Sequence, residues 1–428
     1  MSLLIKGGRV LDPLSGIDGL FDVLIEKGKI SAVDKDLSKK ETAKTIDAKG
    51  RLVVPGLIDV HTHLREPGYE YKETIKTGTA AAAAGGFTSV ACMPNTLPVN
   101  DNQAVTDFIV TQAKKEGIVN VYPIGAISLG LKGEDLVEIG DLKESGIVAV
   151  SDDGRSVMNS ELMRRVLEYT RMFKLPVIAH CEDKDLAGNG VAIEGYYATL
   201  LGLKGIPAAA EEVMVARDIA LAGLTGGRLH IAHTSTKGSL RHIGEAKKRG
   251  INVTCEVTPH HFTLTDEYLQ DYDTNYKVNP PLGTEEDRAA VIEALKDGTA
   301  DIIASDHAPH DSTSKEVEFD QAAFGMIGLE TTLPLTLKLV HEKIISLKDA
   351  IARLTVNPSR LLGLDKGSLA IGKEADITII DFEKEHTVDS NRFKSKSKNS
   401  PFHGWKLKGI AEMTIVEGRV VFDRAKEG

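Results

Sequence analysis

The stretch of sequence that decides the fold is Val53-Val54-Pro55-Gly56-Leu57-Ile58-Asp59-Val60-His61-Thr62-His63-Leu64-Arg65-Glu66-Pro67-Gly68. Its short apolar run ends abruptly in polar residues, which is typical of a buried strand. Because side chains alternate along a strand, His61 and His63 point the same way, and Arg65 joins them if the extended geometry persists. Two imidazoles at a strand end form half of a zinc site. The alternative is one hydrogen-bonded core histidine beside a solvent-facing one, so the interpretation depends on further ligands from other strands.

The composition is that of an ordinary globular protein. Of the 428 residues, 42% are hydrophobic and 27% are charged, enough for one large and one small domain. The formal net charge of −10 argues against nucleic acid or an anionic membrane as the main partner. The first residues, Met1 to Lys6, lack a signal-peptide pattern, and no apolar stretch is long enough to span a bilayer. The three cysteines (Cys92, Cys181 and Cys255) fit reduced thiols, so we expect a cytoplasmic protein.

Both ends of the chain read as short strands punctuated by glycine. Segments 3–11 and 21–30 show this pattern near the N-terminus, and 376–381 and 413–421 show it near the C-terminus. Neither end is long enough to bury a core alone. We therefore predict one small β-sandwich built from residues 1–54 and 366–428.

Strands alternate with helices in the rest of the chain. An Ala-rich helix over 71–86 follows the first strand, the third strand ends at Ile127-Ser128, and helical patterns occur at 161–173, 209–222 and 240–249. About eight such βα units fit residues 55–365, a natural length for a TIM barrel. The predicted fold class is α/β, a (β/α)8 barrel with a small β-sandwich domain.

Polar side chains collect where the predicted strands end, which is where a TIM barrel carries its catalytic residues. These residues are His61, His63, Asp153, His180, His233 and Asp306. Imidazole and carboxylate ligands without cysteine suit a hydrolytic zinc site, and six of them suit two ions with a bridging carboxylate. We expect no chemical role for the histidines that fall elsewhere, which are His230, His242, His341, His386 and His403.

Four motifs carry a family resemblance. They are Gly56 to Gly68 as quoted above, Met93-Pro94-Asn95-Thr96, Asn279-Pro280-Pro281-Leu282, and Ser305-Asp306-His307-Ala308-Pro309-His310. With these motifs the chain resembles the amidohydrolase superfamily, and most closely the dihydroorotases of the larger bacterial type. The resemblance covers nearly the whole chain, including the split β domain and the segment 398–402.

The resemblance implies two zinc ions per chain and a role for each ligand. His61, His63 and Asp306 would hold the first zinc and His180 and His233 the second, with Asp153 as the bridge. It also implies an activity, in which a hydroxide shared by the ions attacks the ring amide while Asp306 shuttles the proton. N-Carbamoyl-L-aspartate and L-dihydroorotate would interconvert in this way during pyrimidine (UMP) biosynthesis.

The bridging group departs from the pattern of many relatives, which carry a carbamylated lysine there. This chain has Ser151-Asp152-Asp153-Gly154 at that position, and the nearest upstream lysine, Lys143, lies before the strand. The chain is therefore similar to the subgroup in which aspartate bridges. An Asp-Gly pair also favours a turn, so we expect Asp152 to serve the turn and Asp153 the metal.

The resemblance also implies a set of substrate contacts. They come from His63, Arg65, Asn95, Asn279, His310, Phe324 and Gly325, the last two through their backbone. Arg65 can fork onto the ring carboxylate, a bidentate geometry that lysine cannot reproduce. Asn95 and Asn279 each stand beside proline, so turn chemistry is the alternative for both. For His260 and His261 we expect structural or supporting roles.

Two other functions stay open at this stage. A hydantoinase, dihydropyrimidinase or allantoinase would share the metal ligands, but its uncharged ring needs no guanidinium, so Arg65 favours dihydroorotase. An inactive barrel that serves as an assembly partner would have lost ligands, whereas this sequence keeps all six. We expect a small-molecule substrate and a homodimer. The sequence is also compatible with a complex with aspartate transcarbamoylase, which some relatives form.

Overall fold

Short strands separated by tight turns form the N-terminal part of the chain in the computed structural model, which describes residues 2–37, 42 and 44–427. They are β1 (Ser2–Asp12), β2 (Ile17–Glu26), β3 (Lys29–Asp34), β4 (Lys44–Asp47) and β5 (Leu52–Pro55). The glycine that punctuates the predicted segment 21–30 lies in a chain reversal between β2 and β3, Lys27-Gly28. Their φ angles of 52° and 79° are those of a two-residue hairpin turn.

The middle of the chain supplies parallel strands. They are β6 (Leu57–Thr62), β7 (Phe87–Cys92), β8 (Asn120–Pro123), β9 (Val150–Ser151), β10 (Val177–Ala179), β11 (Ala192–Ile193), β12 (Gly205–Ile206), β13 (Leu229–Ile231), β14 (Val253–Val257) and β15 (Ile302–Ile303). Two sheets, β6-β7-β8 and β9-β10-β13-β14-β15, meet at both edges through the parallel bridges Gly125–Val150 and Thr62–His307. The eight strands therefore close into a barrel, while β11 and β12 form a separate pair outside it.

Helices follow the barrel strands. They are α1 (Ile75–Gly85), α2 (Gln103–Glu116), α3 (Ile139–Glu144), α4 (Ser160–Phe173), α5 (Lys184–Ala187), α6 (Tyr196–Leu201), α7 (Ala209–Thr225), α8 (Lys237–Lys248), α9 (Pro259–Thr263), α10 (Glu285–Asp297), α11 (Ser312–Lys315), α12 (Thr332–His341), α13 (Leu347–Leu354) and α14 (Val356–Leu362). None of the described helices is long and apolar enough to cross a membrane.

Two predicted boundaries in the barrel were wrong. The first helix begins at Ile75 rather than at residue 71, because the Thr74 side chain accepts from the Thr77 N–H and caps it there. The third strand ends at Pro123 rather than at Ser128. The N–H groups of Ile127 and Ser128 donate to the Asp152 carboxylate, so they are not available to a neighbouring strand.

The C-terminal strands complete the N-terminal ones. They are β16 (Ile377–Thr387), β17 (Lys406–Val416) and β18 (Arg419–Asp423), and the sheet order is β18-β17-β16-β5-β1-β2-β3 with β4 paired to β1. β5 joins the two ends, since it runs parallel to β1 and antiparallel to β16. The predicted segment 413–421 is split by a second hairpin turn at Glu417-Gly418. The sandwich is thus one continuous sheet that encloses its own small core.

The terminal sheet is anchored to the barrel through α1. Thr414 Oγ1 donates to the Ala83 carbonyl at 2.7 Å, and Thr378 Oγ1 donates to the Gly86 carbonyl at 2.6 Å. The α/β fold class predicted from the sequence is confirmed. The division at residues 54/55 and 365/366 stays a prediction; β5 ends at Pro55, beside the first of these boundaries.

Candidate active site

Six ionisable side chains converge at the carboxyl ends of the barrel strands. They are His61 and His63 from β6, Asp153 after β9, His180 after β10, His233 after β13 and Asp306 after β15. All six are buried, with exposures of 6% or less. Within the described residues, two groups of three have ligand atoms that all lie within 4.8 Å of one another: His61, Asp153 and His233, and His61, His63 and Asp306.

Asp153 lies between the two halves of this cluster. Its Oδ1 is 3.3 Å from His61 Nε2 and 3.4 Å from His233 Nε2, and its Oδ2 is 3.5 Å from His63 Nε2. Asp306 Oδ1 closes one half, 3.2 Å from His63 Nε2 and 3.5 Å from His61 Nε2.

His180 completes the other half of the cluster. Its Nδ1 lies 2.9 Å from His233 Nε2 and 3.7 Å from Asp153 Oδ1. The carboxylate of Asp153 is thus shared between two sets of imidazoles.

The donor set fits metal ions. With zinc–ligand bonds of about 2.0–2.2 Å, ligand atoms of a tetrahedral site lie about 3.3–3.6 Å apart, close to the separations around Asp153 and Asp306. Several of these atoms are buried without a hydrogen-bond partner in the described part of the chain: His61 Nε2, Asp153 Oδ1, His180 Nε2 and His233 Nδ1. Unpaired buried polar atoms are costly, and cations at the centre would satisfy two of them, His61 Nε2 and Asp153 Oδ1.

The two neighbouring aspartates have separate tasks. Asp152 points away from the cluster, where Oδ1 accepts from the Ile127 and Ser128 N–H groups and Oδ2 contacts the Ser128 hydroxyl. Asp153 alone faces the imidazoles. Lys143 Nζ donates instead to the Ile147 carbonyl, at 3.4 Å.

A buried glutamate that the sequence did not single out supports the cluster. Glu256 Oε1 accepts from His61 Nδ1 at 2.5 Å and from the His233 N–H at 3.2 Å, and Oε2 accepts from His230 Nε2 at 3.0 Å. His230, for which no chemical role was expected, is therefore linked to His61 through the Glu256 carboxylate. The signal in the sequence was a glutamate inside a buried strand, because fully buried glutamates are rare unless paired.

The charges of the cluster favour a cation at its centre. Burial alone would lower the pKa of His61, but the carboxylates of Asp153 and Glu256 raise it well above its usual value. Burial likewise raises the pKa of Asp306, but the contact with His63 and the nearby imidazoles lower it, so this carboxylate is ionised at neutral pH. Protons and metal ions compete for such a site.

Asn95 orients one of the histidines. Its Oδ1 accepts from His63 Nδ1 at 3.0 Å, which leaves His63 Nε2 bare and directed at Asp306. Supporting contacts of this kind fix the tautomer of a metal-ligating histidine. Substrate contact by Asn95 stays a prediction; its amide nitrogen donates to the Asp153 carbonyl at 3.5 Å.

Arg65 has a backbone conformation that the sequence did not predict. Strand β6 ends at Thr62, and Arg65 has a φ of 62°, so the extended geometry does not persist. Its Nε donates to the Pro309 carbonyl at 3.2 Å, and its Nη2 lies 3.4 Å from His310 Nε2. His233 and Asp306 also have positive φ, and such backbone conformations in non-glycine residues concentrate at functional sites.

The other predicted substrate-contact residues have neighbours within the protein. Asn279 helps to lower the pKa of Glu182, whose Oε2 lies 3.8 Å from His180 Nε2. The backbone of Gly325 is already engaged, since its N–H donates to the Lys277 carbonyl and its carbonyl accepts from Asn399 and Lys315. Phe324 faces the Lys277 ammonium, which lies 4.6 Å from the ring centroid.

The fold and the geometry of this site define a class of protein, the amidohydrolases, which depend on metal ions. A model described as Amidohydrolase family matches residues 206–422, and one described as Dihydro-orotase-like matches residues 50–239. An L-hydantoinase (dihydropyrimidinase) from Arthrobacter aurescens is 26% identical, with a TM-score of 0.89 over 99% of this chain and 96% of that one. A dihydropyrimidinase from Brevibacillus agri is 25% identical, with a TM-score of 0.88 over 99% of this chain and 95% of that one.

Sequence relatives narrow the class. A dihydroorotase from Geobacter metallireducens is 57% identical over 99% of this chain and 100% of its own length. A second dihydroorotase, from Acetivibrio thermocellus, is 57% identical over 98% of both chains. A third, from Geobacter sulfurreducens, is 58% identical over 99% of this chain and 100% of its own length. The chain belongs to the dihydroorotase family, which confirms the resemblance drawn from the four motifs.

Proposed function

We propose that this protein is a zinc-dependent dihydroorotase that interconverts N-carbamoyl-L-aspartate and L-dihydroorotate for pyrimidine (UMP) biosynthesis. The observation that carries the proposal is Arg65 beside His310, near enough to the cluster for the charges of Asp306 and Asp153 to act on it. The cluster accounts for ring-amide hydrolysis, and the guanidinium accounts for a ring that bears a carboxylate. Relatives at 57–58% identity named dihydroorotase support the same substrate.

Two zinc ions are proposed for the cluster, with His61, His63 and Asp306 on one side, His180 and His233 on the other, and Asp153 shared between them. Such ions supply Lewis acidity and an activated water at neutral pH. The absence of cysteine among the ligands agrees with a catalytic rather than a structural zinc site.

Asp306 is proposed as the proton carrier. Its carboxylate is ionised, and its charge acts on Arg65, so it can accept a proton from the attacking water near the proposed substrate site. The protonated carboxyl can then return that proton to the ring nitrogen, which is a poor leaving group without it. His63, held by Asn95 on one side, directs its bare Nε2 toward the same point as Asp306 Oδ1, 3.2 Å away, so the two atoms could share one ion.

The substrate carboxylate is proposed to bind between Arg65 and His310, with Asn95 and Asn279 along the ring. Contacts from the backbone of Phe324 and Gly325 would require the loop to release bonds that it now makes with Lys277 and Asn399. We further propose that the protein is a homodimer in the cytoplasm. The cytoplasmic location is supported by three free, buried cysteines, Cys92, Cys181 and Cys255. A complex with aspartate transcarbamoylase remains part of the proposal.

The test is ring opening of dihydroorotate by purified protein, with and without a chelator. Turnover that chelation abolishes and zinc restores is the expected result. Hydantoinase or dihydropyrimidinase activity is the second candidate, favoured by the structural neighbours. Efficient opening of an uncharged ring together with none of dihydroorotate would establish it instead.

A further inference from the structure

His310 lies between two cationic side chains, Arg65 and Lys72. Its Nε2 is 3.4 Å from Arg65 Nη2, and its Nδ1 is 3.3 Å from Lys72 Nζ. Neither the sequence motifs nor the proposed substrate contacts include Lys72. Arginine and lysine only donate hydrogen bonds, whereas a neutral imidazole has one N–H and one acceptor nitrogen. One of the two contacts is therefore a hydrogen bond, and the other places an N–H against a donor.

The ring of His310 is neutral in this setting. Burial lowers its pKa to about 2, and the charges of Arg65, Lys72 and Lys315 contribute to the shift. The question is which nitrogen carries the single proton.

The surroundings assign that proton to Nε2. Nδ1 faces the Lys72 ammonium at 3.3 Å and Nε2 faces Arg65 Nη2 at 3.4 Å, so both ring nitrogens meet donors. The Arg65 guanidinium is planar and its Nε already donates to the Pro309 carbonyl, so its N–H groups turn toward Nε2 less freely than those of Lys72 turn toward Nδ1. Nδ1 is then the acceptor for Lys72, whose rotatable ammonium adapts to it more easily than the planar guanidinium could.

Lys72 is held in place to make this contact. Its ammonium lies 5.6 Å from the ring centroids of both Tyr69 and Tyr71, within the range of cation–π attraction. Its backbone is fixed as well, because its N–H donates to the Tyr69 carbonyl and its carbonyl accepts from Ser397 Oγ at 2.7 Å. Asp311 is the acidic residue whose charge acts on Lys72, and no ion pair joins Lys72 or Arg65 to a carboxylate among the residues that the structure describes.

We propose that Lys72 is a positioning residue for substrate recognition, which fixes His310 as the Nε2–H tautomer and so makes Arg65 and His310 a two-donor clamp for a carboxylate. The inference rests on the proposed function, since it assigns the clamp to the carboxylate of dihydroorotate. An anion between Arg65 Nη2 and His310 Nε2 accepts from both groups and relieves the opposition of two donors. Lys72 adds a second positive charge without touching the reacting amide.

The variants Lys72→Met and Lys72→Arg test this role, with Lys76→Met as the matched control. Lys76 is exposed and pairs only with Glu116 in the described structure, so its loss removes an equal charge from the same part of the surface. Lys72→Met should raise KM for dihydroorotate about 10- to 100-fold with kcat within about twofold, the scale of a charge-assisted hydrogen bond that is equal in ground and transition states. Lys72→Arg should restore most of the loss, and Lys76→Met should match wild type.

The tautomer of His310 provides a second readout that needs no substrate. Nitrogen-15 spectra of histidine-labelled protein, assigned with His310→Asn, should show the Nε2–H form in wild type and in Lys72→Arg. Lys72→Met should show a mixture or the Nδ1–H form. An unchanged KM, an equal loss with dihydrouracil, or an unchanged tautomer in Lys72→Met would each overturn the inference. Absence of dihydroorotate turnover in wild type would instead overturn the proposed function, while the spectra would still decide the tautomer.

Discussion

Glu256 Oε1 lies 2.5 Å from His61 Nδ1, at the centre of a buried contact that also includes His230. Because the carboxylate takes the Nδ1 proton, His61 presents a bare Nε2 toward Asp153 and Asp306. Burial would raise the pKa of Glu256, but the two imidazoles lower it to about 2, so it stays an acceptor at all working pH values. The proposed metal centre therefore depends on a residue that would not touch the metal.

Replacement of Glu256 by Gln should weaken metal binding. The amide keeps the shape of the side chain but removes the charge that holds His61 in its tautomer. We expect the affinity for zinc to fall about 10- to 100-fold, the usual loss for such supporting contacts. Chelator competition measures it, and Glu245→Gln, an exposed change on α8, is the control. Unchanged affinity in Glu256→Gln would show that Glu256 serves packing alone.

Metal content should be about two zinc ions per chain. Six candidate ligand side chains converge, and the Asp153 carboxylate faces histidines on both sides, an arrangement that one tetrahedral ion does not use. Elemental analysis of zinc-loaded protein freed of loose metal gives the stoichiometry. A firm value near one at full activity would contradict the proposed pair.

Assembly of the centre should need no carbon dioxide. Asp153 is the proposed bridge in place of a carbamylated lysine, and the nearest upstream lysine, Lys143, donates a hydrogen bond to the Ile147 carbonyl. Metal-free protein reconstituted in bicarbonate-free buffer should regain full activity, equal to a sample with added bicarbonate. A strict bicarbonate requirement, or a carbamylated lysine detected by mass, would refute the assignment of Asp153.

The change Asp306→Asn should lower kcat by about two to four orders of magnitude, the span of a lost general acid–base. Metal content should fall less, because the other ligands remain. Asp301→Asn is the control: Asp301 pairs with Lys247 at the opposite end of the same strand, so its loss affects stability rather than chemistry. A near-normal kcat in Asp306→Asn would show that Asp306 does not carry the proton and serves only as a ligand or a structural residue.

Much of the fold was predictable because the alternation of side chains along a strand and the polar residues that follow it can be read from a short stretch of sequence. His61 and His63 two residues apart, and single polar residues after other apolar runs, indicated a barrel with a cluster at one end. What could not be read from these signals depends on contacts between distant segments. The hydrogen bonds from Ile127 and Ser128 to Asp152 ended the third strand early, and no local pattern shows them.

The support around the site was hidden for the same reason. Glu256 lies 195 residues from His61, and Lys72 lies 238 residues from His310. Only closure of the barrel brings these pairs together. The left-handed backbone of Arg65 was also invisible, because the sequence alone favoured continued extension of the strand.

The most direct measurement is kcat/KM for dihydroorotate and for dihydrouracil, in wild type and in Arg65→Met. The two rings share the scissile amide and differ in the carboxylate. Arg65 is desolvated enough for burial to lower its pKa to about 10, so a ring without a carboxylate leaves it unpaired.

We predict that wild type prefers dihydroorotate by at least about a thousandfold, because sites built around a buried polar group reject the analogue that lacks its partner. Arg65→Met should cost dihydroorotate about 2–4 kcal/mol of transition-state binding and leave dihydrouracil turnover unchanged or higher. A wild type that prefers dihydrouracil, or an equal loss of both substrates in Arg65→Met, would contradict the account.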